Sequence, residues 1–133
     1  MNTTYFLNLI AGNVFGTKTS PAIPSAYYIG LSTTTPTVAG GNVTEPSSGA
    51  AYARVELTSL SQPSNGVVTN SSNVDFPEST ASWGTVTHFV VYDAATSGNL
   101  LMFGALTTAR TVEAETMITI KAGQLNLNVQ NPA

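Results

Sequence analysis

The side chains with the greatest chemical potential are few and scattered along the chain. His88 is the only histidine and lies in an apolar run typical of a strand. Together with Ser82 and an acid such as Asp75 or Asp93, it would supply the residue types of a hydrolase triad. However, no Gly-x-Ser-x-Gly turn surrounds Ser82, and any β-protein this rich in serine and threonine offers such a combination. We therefore expect His88 to be a hydrogen-bonded core or interface residue.

The acidic residues lack the spacing of a metal site or a catalytic pair. Asp75, Glu78 and Asp93 are the candidates for calcium, but no stretch places acids at the alternating positions of a calcium-binding loop. Glu113 and Glu115 would share one face of an extended segment, and two carboxylates are the machinery of glycoside hydrolysis. Like charges on one face are more typical of a strand edge that resists edge-to-edge pairing. The sequence therefore predicts no metal, no cofactor and no enzymatic activity.

Glycine and cysteine patterns exclude two other kinds of site. Gly40-Gly41-Asn42 matches no phosphate-binding pattern, because no helix follows it. The absence of cysteine excludes disulfides, thiolate metal sites and cysteine nucleophiles. The first ten residues lack the basic region of a signal peptide, and no stretch approaches the roughly 20 apolar residues of a membrane span. We therefore expect a product made in the cytoplasm.

The composition favours assembly with other proteins. Charged residues make up 8 % of the chain, compared with about 25 % in an ordinary soluble domain, and the net charge is −3. Four cations (Lys18, Arg54, Arg110 and Lys121) are too few for the basic stripe that nucleic acids or anionic membranes require. A surface of Ser, Thr and Asn costs little to desolvate when another subunit covers it. We expect a homo-oligomer, a trimer or dimer, that binds neither nucleic acid nor membrane.

Residues 2–15 are predicted to form a short helix or arm. Apolar residues recur there at helical spacing: Phe6, Leu9, Ile10 and Val14. Residues 2–4 offer oxygens for the N-cap, and Gly16 suits the C-cap. Leu7 widens the apolar face almost to the whole circumference, which predicts burial on more than one side. The helix is expected either to lie across one face of the domain or to dock partly on a neighbouring subunit.

Beyond the helix, the hydrophobic period changes to two, which indicates an all-β domain. Seven strands are predicted, at residues 27–32, 51–57, 66–70, 86–93, 100–107, 116–121 and 125–130. The pair that flanks Ser97-Gly98-Asn99 is predicted to form a hairpin, and both of its strands are apolar on both faces, so we expect them to be central. About seven short strands indicate a β-sandwich or a jelly-roll-like barrel over residues 26–130, within a single domain of residues 1–133.

A long polar loop, residues 33–50, interrupts the strands, and loops of that length are usually functional or mobile. We expect the helix and this loop to contact neighbouring subunits. The predicted interface residues are Phe6, Leu7, Leu9, Ile10, Val14, Thr35, Val38 and Val43. Arg54 is expected to pair with Glu78 or with an acid across the sheet beside Glu56.

Aromatic residues offer core contacts or an anchoring surface. We expect Trp83 to lie in the core. Tyr27 and Tyr52 would stack in the core as well or anchor a contact. If these three rings were exposed beside Asn and Asp side chains, they would suit a sugar-binding site.

A series of short motifs resembles a known family. The motifs are Tyr28-Ile29-Gly30-Leu31-Ser32, Tyr52-Ala53-Arg54-Val55, Val74-Asp75-Phe76-Pro77, Trp83-Gly84-Thr85-Val86-Thr87-His88, Tyr92-Asp93-Ala94, Gly98-Asn99-Leu100-Leu101 and Gly104-Ala105-Leu106. In this order they are similar to small virion proteins of tailed bacteriophages, often labelled phage tail fibre proteins, over residues 26–129. The resemblance implies a virion protein made in the cytoplasm of a host bacterium, and it implies no catalytic residues.

The resemblance leaves two positions in the particle open. Comparable small domains serve as head decoration or cement proteins, which would bridge neighbouring subunits of the major capsid protein. The alternative is a tail fibre or tail-tip protein, or a receptor-binding module that recognises glycans of the host surface. Fibre proteins usually add a long shaft, a coiled coil or a collagen-like repeat, and this sequence has none. We therefore predict a head decoration protein, with the tail protein as the alternative.

Overall fold

The computed structural model, which describes residues 1–16 and 23–129, contains one α-helix, eight strands after it and a 3-10 turn at Ser48–Ala50 between the first two strands. The helix is α1 (Thr4–Phe15). The strands are β1 (Tyr28–Ser32), β2 (Val55–Glu56), β3 (Val67–Thr69), β4 (Val74–Asp75), β5 (Gly84–Tyr92), β6 (Leu100–Val112), β7 (Thr119–Ile120) and β8 (Asn126–Asn128). The predicted all-β fold with a short N-terminal helix is confirmed, although the strand count differs. The additional strand is β4, whose two residues are too few to show a period.

Helix α1 begins and ends where its capping residues predict. The Thr3 hydroxyl accepts a hydrogen bond from the Phe6 amide at 3.2 Å, which satisfies one of the free donors of the first turn. Gly16 ends the helix in the left-handed region, with φ of 66°. The buried residues of α1 are Phe6, Leu9 and Gly12, so the helix buries one face against the strands and leaves the other exposed.

All strand pairs are antiparallel, and they form a four-stranded sheet in the order β2-β1-β5-β6 and two small sheets, β3-β8 and β4-β7. The predicted hairpin is confirmed as β5 and β6. Its turn includes Gly98 with φ of 78°, where a Cβ atom would lie 2.5 Å from the Asp93 carboxylate. Glycine is therefore required at this point of the hairpin.

Strand β6 lies at the edge of the four-stranded sheet, so the prediction that both hairpin strands are central was wrong for β6 and right for β5. Residues 1–3 cover its outer edge. The Phe103 amide donates to the Met1 carbonyl and the Thr3 amide donates to the Leu101 carbonyl, each at 2.9 Å. Because the N-terminal segment takes the place of a further strand, the first half of β6 is as apolar as a central strand.

The β5–β6 pairing contains a large bulge. Val86 pairs with Arg110 and His88 pairs with Ala105, so residues 106–109 of β6 lie opposite Thr87 alone. Extra residues on one strand bend it away from its partner. Residues 107–111 are exposed, whereas residues 100–103 at the start of β6 are buried.

Both faces of the four-stranded sheet are covered. The main apolar cluster includes residues from α1, from this sheet and from both small sheets, among them Phe6, Leu9, Ile29, Leu31, Phe76, Trp83, Leu101 and Leu125. A second cluster, Val90, Tyr92, Leu100 and Phe103, packs against Val43 of the long loop. Since neighbouring residues of a strand point to opposite faces, Val90 and Val91 of β5 belong to different clusters. The long loop thus covers the face of the sheet opposite to the main core.

Candidate functional site

The helix and the long loop adjoin each other. The Thr4 amide donates a hydrogen bond of 2.9 Å to the Val38 carbonyl, so the loop satisfies a free donor of the first turn of α1. Tyr5, one residue further, accepts from the Asn99 side chain in the β5–β6 turn at 3.3 Å. The two segments predicted to contact neighbours therefore form one continuous surface, which we call the helix–loop surface (α1 and residues 33–50).

The long loop is cross-linked by its own hydrogen bonds. The Thr33 amide donates to the Thr44 carbonyl at 2.9 Å, closing the base of the loop. Nearer its tip, the Asn42 side chain donates to the Thr35 carbonyl and the Thr34 hydroxyl donates to the Asn42 carbonyl, both at 2.7 Å. Asn42 has φ of 59°, a left-handed conformation that asparagine tolerates better than most residues. These contacts fix the loop in one shape against the sheet.

A buried ion pair fastens this loop to the rest of the fold. Arg54 donates two hydrogen bonds to the Glu45 carboxylate, from Nε at 2.9 Å and from Nη2 at 2.7 Å. The Arg54 side chain is 7 % exposed and that of Glu45 is 22 % exposed. The predicted partners of Arg54, Glu78 or an acid beside Glu56, were wrong. Glu45 reaches Arg54 because it lies on the loop that folds back over the sheet, which no strand periodicity could reveal.

Two tyrosines complete the surroundings of this pair. The Tyr52 hydroxyl donates to Glu45 at 2.6 Å and accepts from the Leu31 amide at 2.9 Å. The Arg54 guanidinium lies over the Tyr92 ring, 3.6 Å from its centroid, a favourable cation–π distance. We call Glu45, Tyr52, Arg54 and Tyr92 the arginine cluster.

The arginine cluster also binds the hairpin turn. Arg54 Nη1 donates to the carbonyls of Ala94 and Ser97 at 2.9 and 2.7 Å. Beneath the cluster, a Cβ atom on Gly30 would lie 2.4 Å from the Tyr52 hydroxyl and 2.7 Å from a Glu45 oxygen. Glycine at position 30 thus allows the tyrosine and the carboxylate to approach the backbone of β1.

Burial shifts the pKa of the groups in the cluster. The pKa of the Tyr52 hydroxyl is raised far above its ordinary value, first by burial and then by its hydrogen bond to Glu45. Burial lowers the pKa of Arg54, but the Glu45 carboxylate outweighs this, and the resulting pKa is raised. Both tyrosines of the cluster are held neutral, since burial raises the pKa of Tyr92 as well.

The predicted interface residues fall into three environments. Phe6 and Leu9 lie in the main core, where Leu9 is 1 % exposed. Ile10 and Val43 are half-buried against the two clusters. The exposed members are Leu7, Val14, Thr35 and Val38. Their role in an interface stays a prediction, and the exposed members are the ones free to make it.

One face of α1 presents an apolar row to solvent that the sequence analysis did not separate from the buried face. Leu7, Ala11 and Val14 are exposed at positions i, i+4 and i+7, which lie on one side of a helix. Phe15 adjoins them and is 77 % exposed. We call these four residues the exposed stripe. Its period equals that of the buried face, so only the structure distinguishes the two.

The residues considered for catalysis serve local structure. His88 Nδ1 forms a hydrogen bond with the Thr87 hydroxyl at 2.8 Å, and Ser82 accepts from the Gly84 amide at 3.2 Å. Asp75 accepts from the Thr119 hydroxyl at 2.6 Å, bridging β4 and β7. Asp93 accepts from the amide and side chain of Asn99 across the hairpin turn. The structure therefore brings these residues together with their strand neighbours and not with one another.

The two paired glutamates lie in a turn. Strand β6 ends at Val112, and Glu115 has φ of 61°, so the stretch is not extended and Glu113 and Glu115 do not share one face of a strand. Across residues 1–16 and 23–129, no group of three or more His, Cys, Asp or Glu residues could hold a metal ion. A search of the described residues for a membrane-spanning helix finds none.

The rings considered for a sugar site are mostly inaccessible. Trp83 is 4 % exposed, and its indole donates to the Ala50 carbonyl at 2.9 Å, as expected for a core residue. Tyr52 is buried edge-on against Trp83, with ring centroids 5.3 Å apart. Tyr27 is half-buried against the main core. These three rings do not form an exposed sugar platform.

The chain matches a model of a known protein family. The family model described as podophage GP4 fiber I protein gp80 matches residues 2–128. A comparison with curated proteins finds no match. The matched range includes α1, all eight strands and the arginine cluster.

Proposed function

The chain belongs to this family of podophage fiber proteins, which makes it a structural component of a bacteriophage virion, and we propose that it is a fibre subunit that acts through assembly and not through catalysis. The observation that carries the proposal is the family match over residues 2–128. It favours the fibre alternative over the head decoration role that the sequence analysis put first. The hydrogen-bonding roles of His88, Asp75 and Asp93 in local structure agree with a protein that does no chemistry.

The exposed stripe is the surface best suited to assembly. Helix α1 carries no charged residue, so two copies can pair through it without burying an unpaired charge. A patch that meets its own copy across a two-fold axis needs only to be complementary to itself, which a row of aliphatic and aromatic side chains satisfies. We therefore propose that the stripe joins two copies of this chain in a homo-oligomer.

The oligomer is tested with a double variant of the exposed stripe. Val14→Ser with Phe15→Ser removes the two most exposed apolar side chains of α1 and leaves Phe6 and Leu9 in the core. We expect light scattering to show a smaller assembly than for the wild-type chain, with an unchanged circular dichroism spectrum. Asn8→Ser, an exposed polar position on the same helix, is the matched control and should keep the wild-type mass. An assembly of unchanged size in the double variant would refute the role of the stripe.

The position in the particle is tested separately. Antibodies or gold labels against this chain, viewed by cryo-electron microscopy, should decorate fibres and not the icosahedral shell. Quantitative mass spectrometry should then give far fewer copies than the major capsid protein. Labels spread over the head, with a copy number close to that of the capsid protein, would overturn the fibre role and support decoration.

A further inference from the structure

A groove lies beside the bulge of β6, and neither α1 nor the long loop contributes to its lining. The groove has a volume of about 380 Å³ and lies between residues 105–110 of β6 and residues 118–125 around β7. Its apolar lining comes from the main sheet and the opposite layer, and includes Leu31, Phe89, Ile118 and Leu125. The volume is within the range of about 300–1,000 Å³ typical of small-ligand sites.

The polar residues around this groove are all neutral or positively charged. They are Thr107, Thr108, Arg110, Thr119, Lys121 and Gln124. No aspartate or glutamate lines the groove itself, and the acid next to the lining is Asp75, which accepts a hydrogen bond of 2.6 Å from the Thr119 hydroxyl. A concave site lined by charges of one sign attracts ligands of the opposite sign.

The two cations of the groove are not used by the fold. Among the described residues, Arg54 and Glu45 form the one side-chain salt bridge. The side chains of Arg110 and Lys121 make no hydrogen bond to any described residue, whereas that of Arg54 makes four. Both residues are exposed. Their charges are therefore free for a ligand, in contrast to the guanidinium of Arg54.

We propose that this groove binds a small acidic saccharide, a sugar that carries a carboxylate or a phosphate group. Arg110 and Lys121 bind the anionic group, since guanidinium and ammonium groups form strong charge-assisted hydrogen bonds with both anions. The hydroxyls of Thr107 and Thr108 and the side-chain amide of Gln124 both donate and accept hydrogen bonds, as the hydroxyls of a sugar do. The apolar lining around Phe89 and Leu31 contacts the C–H surface of the ring.

Charge and volume favour a small acidic sugar over polyanions such as nucleic acids and acidic peptides. Two cations neutralise one anionic group but cannot follow the phosphates of a nucleic acid, each of which requires its own neutralising contact for strong binding. A cavity at the lower end of the small-ligand range suits a ligand of sugar size better than an extended acidic peptide. This proposal holds whether or not the exposed stripe mediates assembly.

The test is calorimetric titration of the full chain with four probes. Glucuronic acid and glucose 6-phosphate represent the two kinds of acidic sugar, glucose is the neutral sugar, and inorganic phosphate is the anion without a ring. We expect at least one acidic sugar to bind about tenfold or more tightly than glucose or phosphate, because hydrogen bonds to charged groups contribute about 1.5–3 kcal/mol. The preferred acidic sugar identifies the anionic group that the site takes.

Two substitutions of equal charge locate the site. Lys121→Gln should weaken binding of the preferred acidic sugar about tenfold, whereas Asn8→Asp, which changes the net charge by the same amount at an exposed position of α1 outside the groove lining, should leave it unchanged. Equal losses in both variants would show general attraction of anions and overturn the proposal. Failure of both acidic sugars to bind at millimolar concentration, binding of phosphate as tight as theirs, or tighter binding of a short polyglutamate peptide would also overturn it.

Discussion

Arg54 and Arg110 show how differently one residue type is used in this chain. Arg54 is 7 % exposed, and its guanidinium donates four hydrogen bonds, two to the Glu45 carboxylate and two to carbonyls of the hairpin turn. Arg110 lies on the exposed part of β6, lines the groove and has no side-chain partner among the described residues. The chain has only four Lys and Arg residues. Arg54 holds the long loop and the hairpin turn together, whereas Arg110 and Lys121 line the open groove.

The difference lies in what each charge requires. A buried charge is costly unless it is paired and hydrogen-bonded, so removal of one partner destabilises the fold strongly. An exposed charge is already solvated by water, and the fold loses little when it is removed. The arginine cluster should therefore respond to substitution through stability, and the groove through binding.

The largest effect is expected from Arg54→Met compared with Arg110→Met. Arg54→Met leaves the Glu45 carboxylate without its cation beside the neutral Tyr52 hydroxyl, which should reduce the free energy of unfolding by about 3–5 kcal/mol. Arg110→Met should change it by less than about 0.5 kcal/mol. Chemical denaturation of both variants measures the difference, and similar losses would remove the contrast between the two sites.

A smaller effect is expected from Gly30→Ala compared with Gly41→Ala. The added methyl group at position 30 would lie 2.4 Å from the Tyr52 hydroxyl and force the cluster apart, at a cost of about 1–3 kcal/mol. At position 41 the nearest atom is the Thr37 hydroxyl at 3.5 Å, an ordinary contact, so Gly41→Ala is the matched control. Thermal unfolding should show a lower Tm for Gly30→Ala alone. An equal Tm for both variants would show that Gly30 is not needed under the cluster.

Alkaline pH should also weaken the cluster. The pKa of Tyr52 is raised in the folded protein, so its contribution to stability is complete below the unfolded pKa of about 10 and decreases as the pH rises above that value. We expect the free energy of unfolding to fall less steeply above pH 10 in Tyr52→Phe than in the wild-type chain. Tyr27 and Tyr92, whose pKa is also raised, leave a residual slope in the variant. Denaturation curves at several alkaline pH values test this, and identical slopes would contradict it.

The smallest effect is expected from salt. Ions screen exposed charges much more than buried ones, and both side chains of the Arg54–Glu45 pair are largely shielded from solvent. The stability difference between the wild-type chain and Arg54→Met should therefore change by less than about 0.5 kcal/mol between low salt and about 1 M NaCl. Denaturation at the two salt concentrations measures this change. A difference that disappears in high salt would show that the pair behaves as a surface ion pair.

Local signals in the sequence predicted the parts of the fold that depend on near neighbours. Capping oxygens at residues 2–4 and Gly16 after the apolar period located α1 to within two residues, and Ser97-Gly98-Asn99 located the hairpin. These features involve residues close together in the chain, and the type of each residue determines its conformational preference. Trp83 was assigned to the core correctly for a similar reason, because it directly precedes the apolar strand β5.

Long-range pairings could not be predicted in the same way. The partner of Arg54 is on a loop without periodicity, and the outer edge of β6 is covered by residues 1–3, about a hundred positions earlier in the chain. The groove depends on the bulge opposite Thr87, which shifts the register between two strands that each look regular. Sequence patterns show which residues prefer burial, but they do not show which distant segment buries them.

The buried guanidinium of Arg54 has a consequence for proteolysis. Trypsin cleaves after a Lys or Arg side chain that enters its specificity pocket, and the chain offers only four such residues. Because Arg54 is held by Glu45 and by the carbonyls of the hairpin turn, it can enter the protease only when the fold opens. Cleavage after Arg54 therefore measures the population of opened molecules.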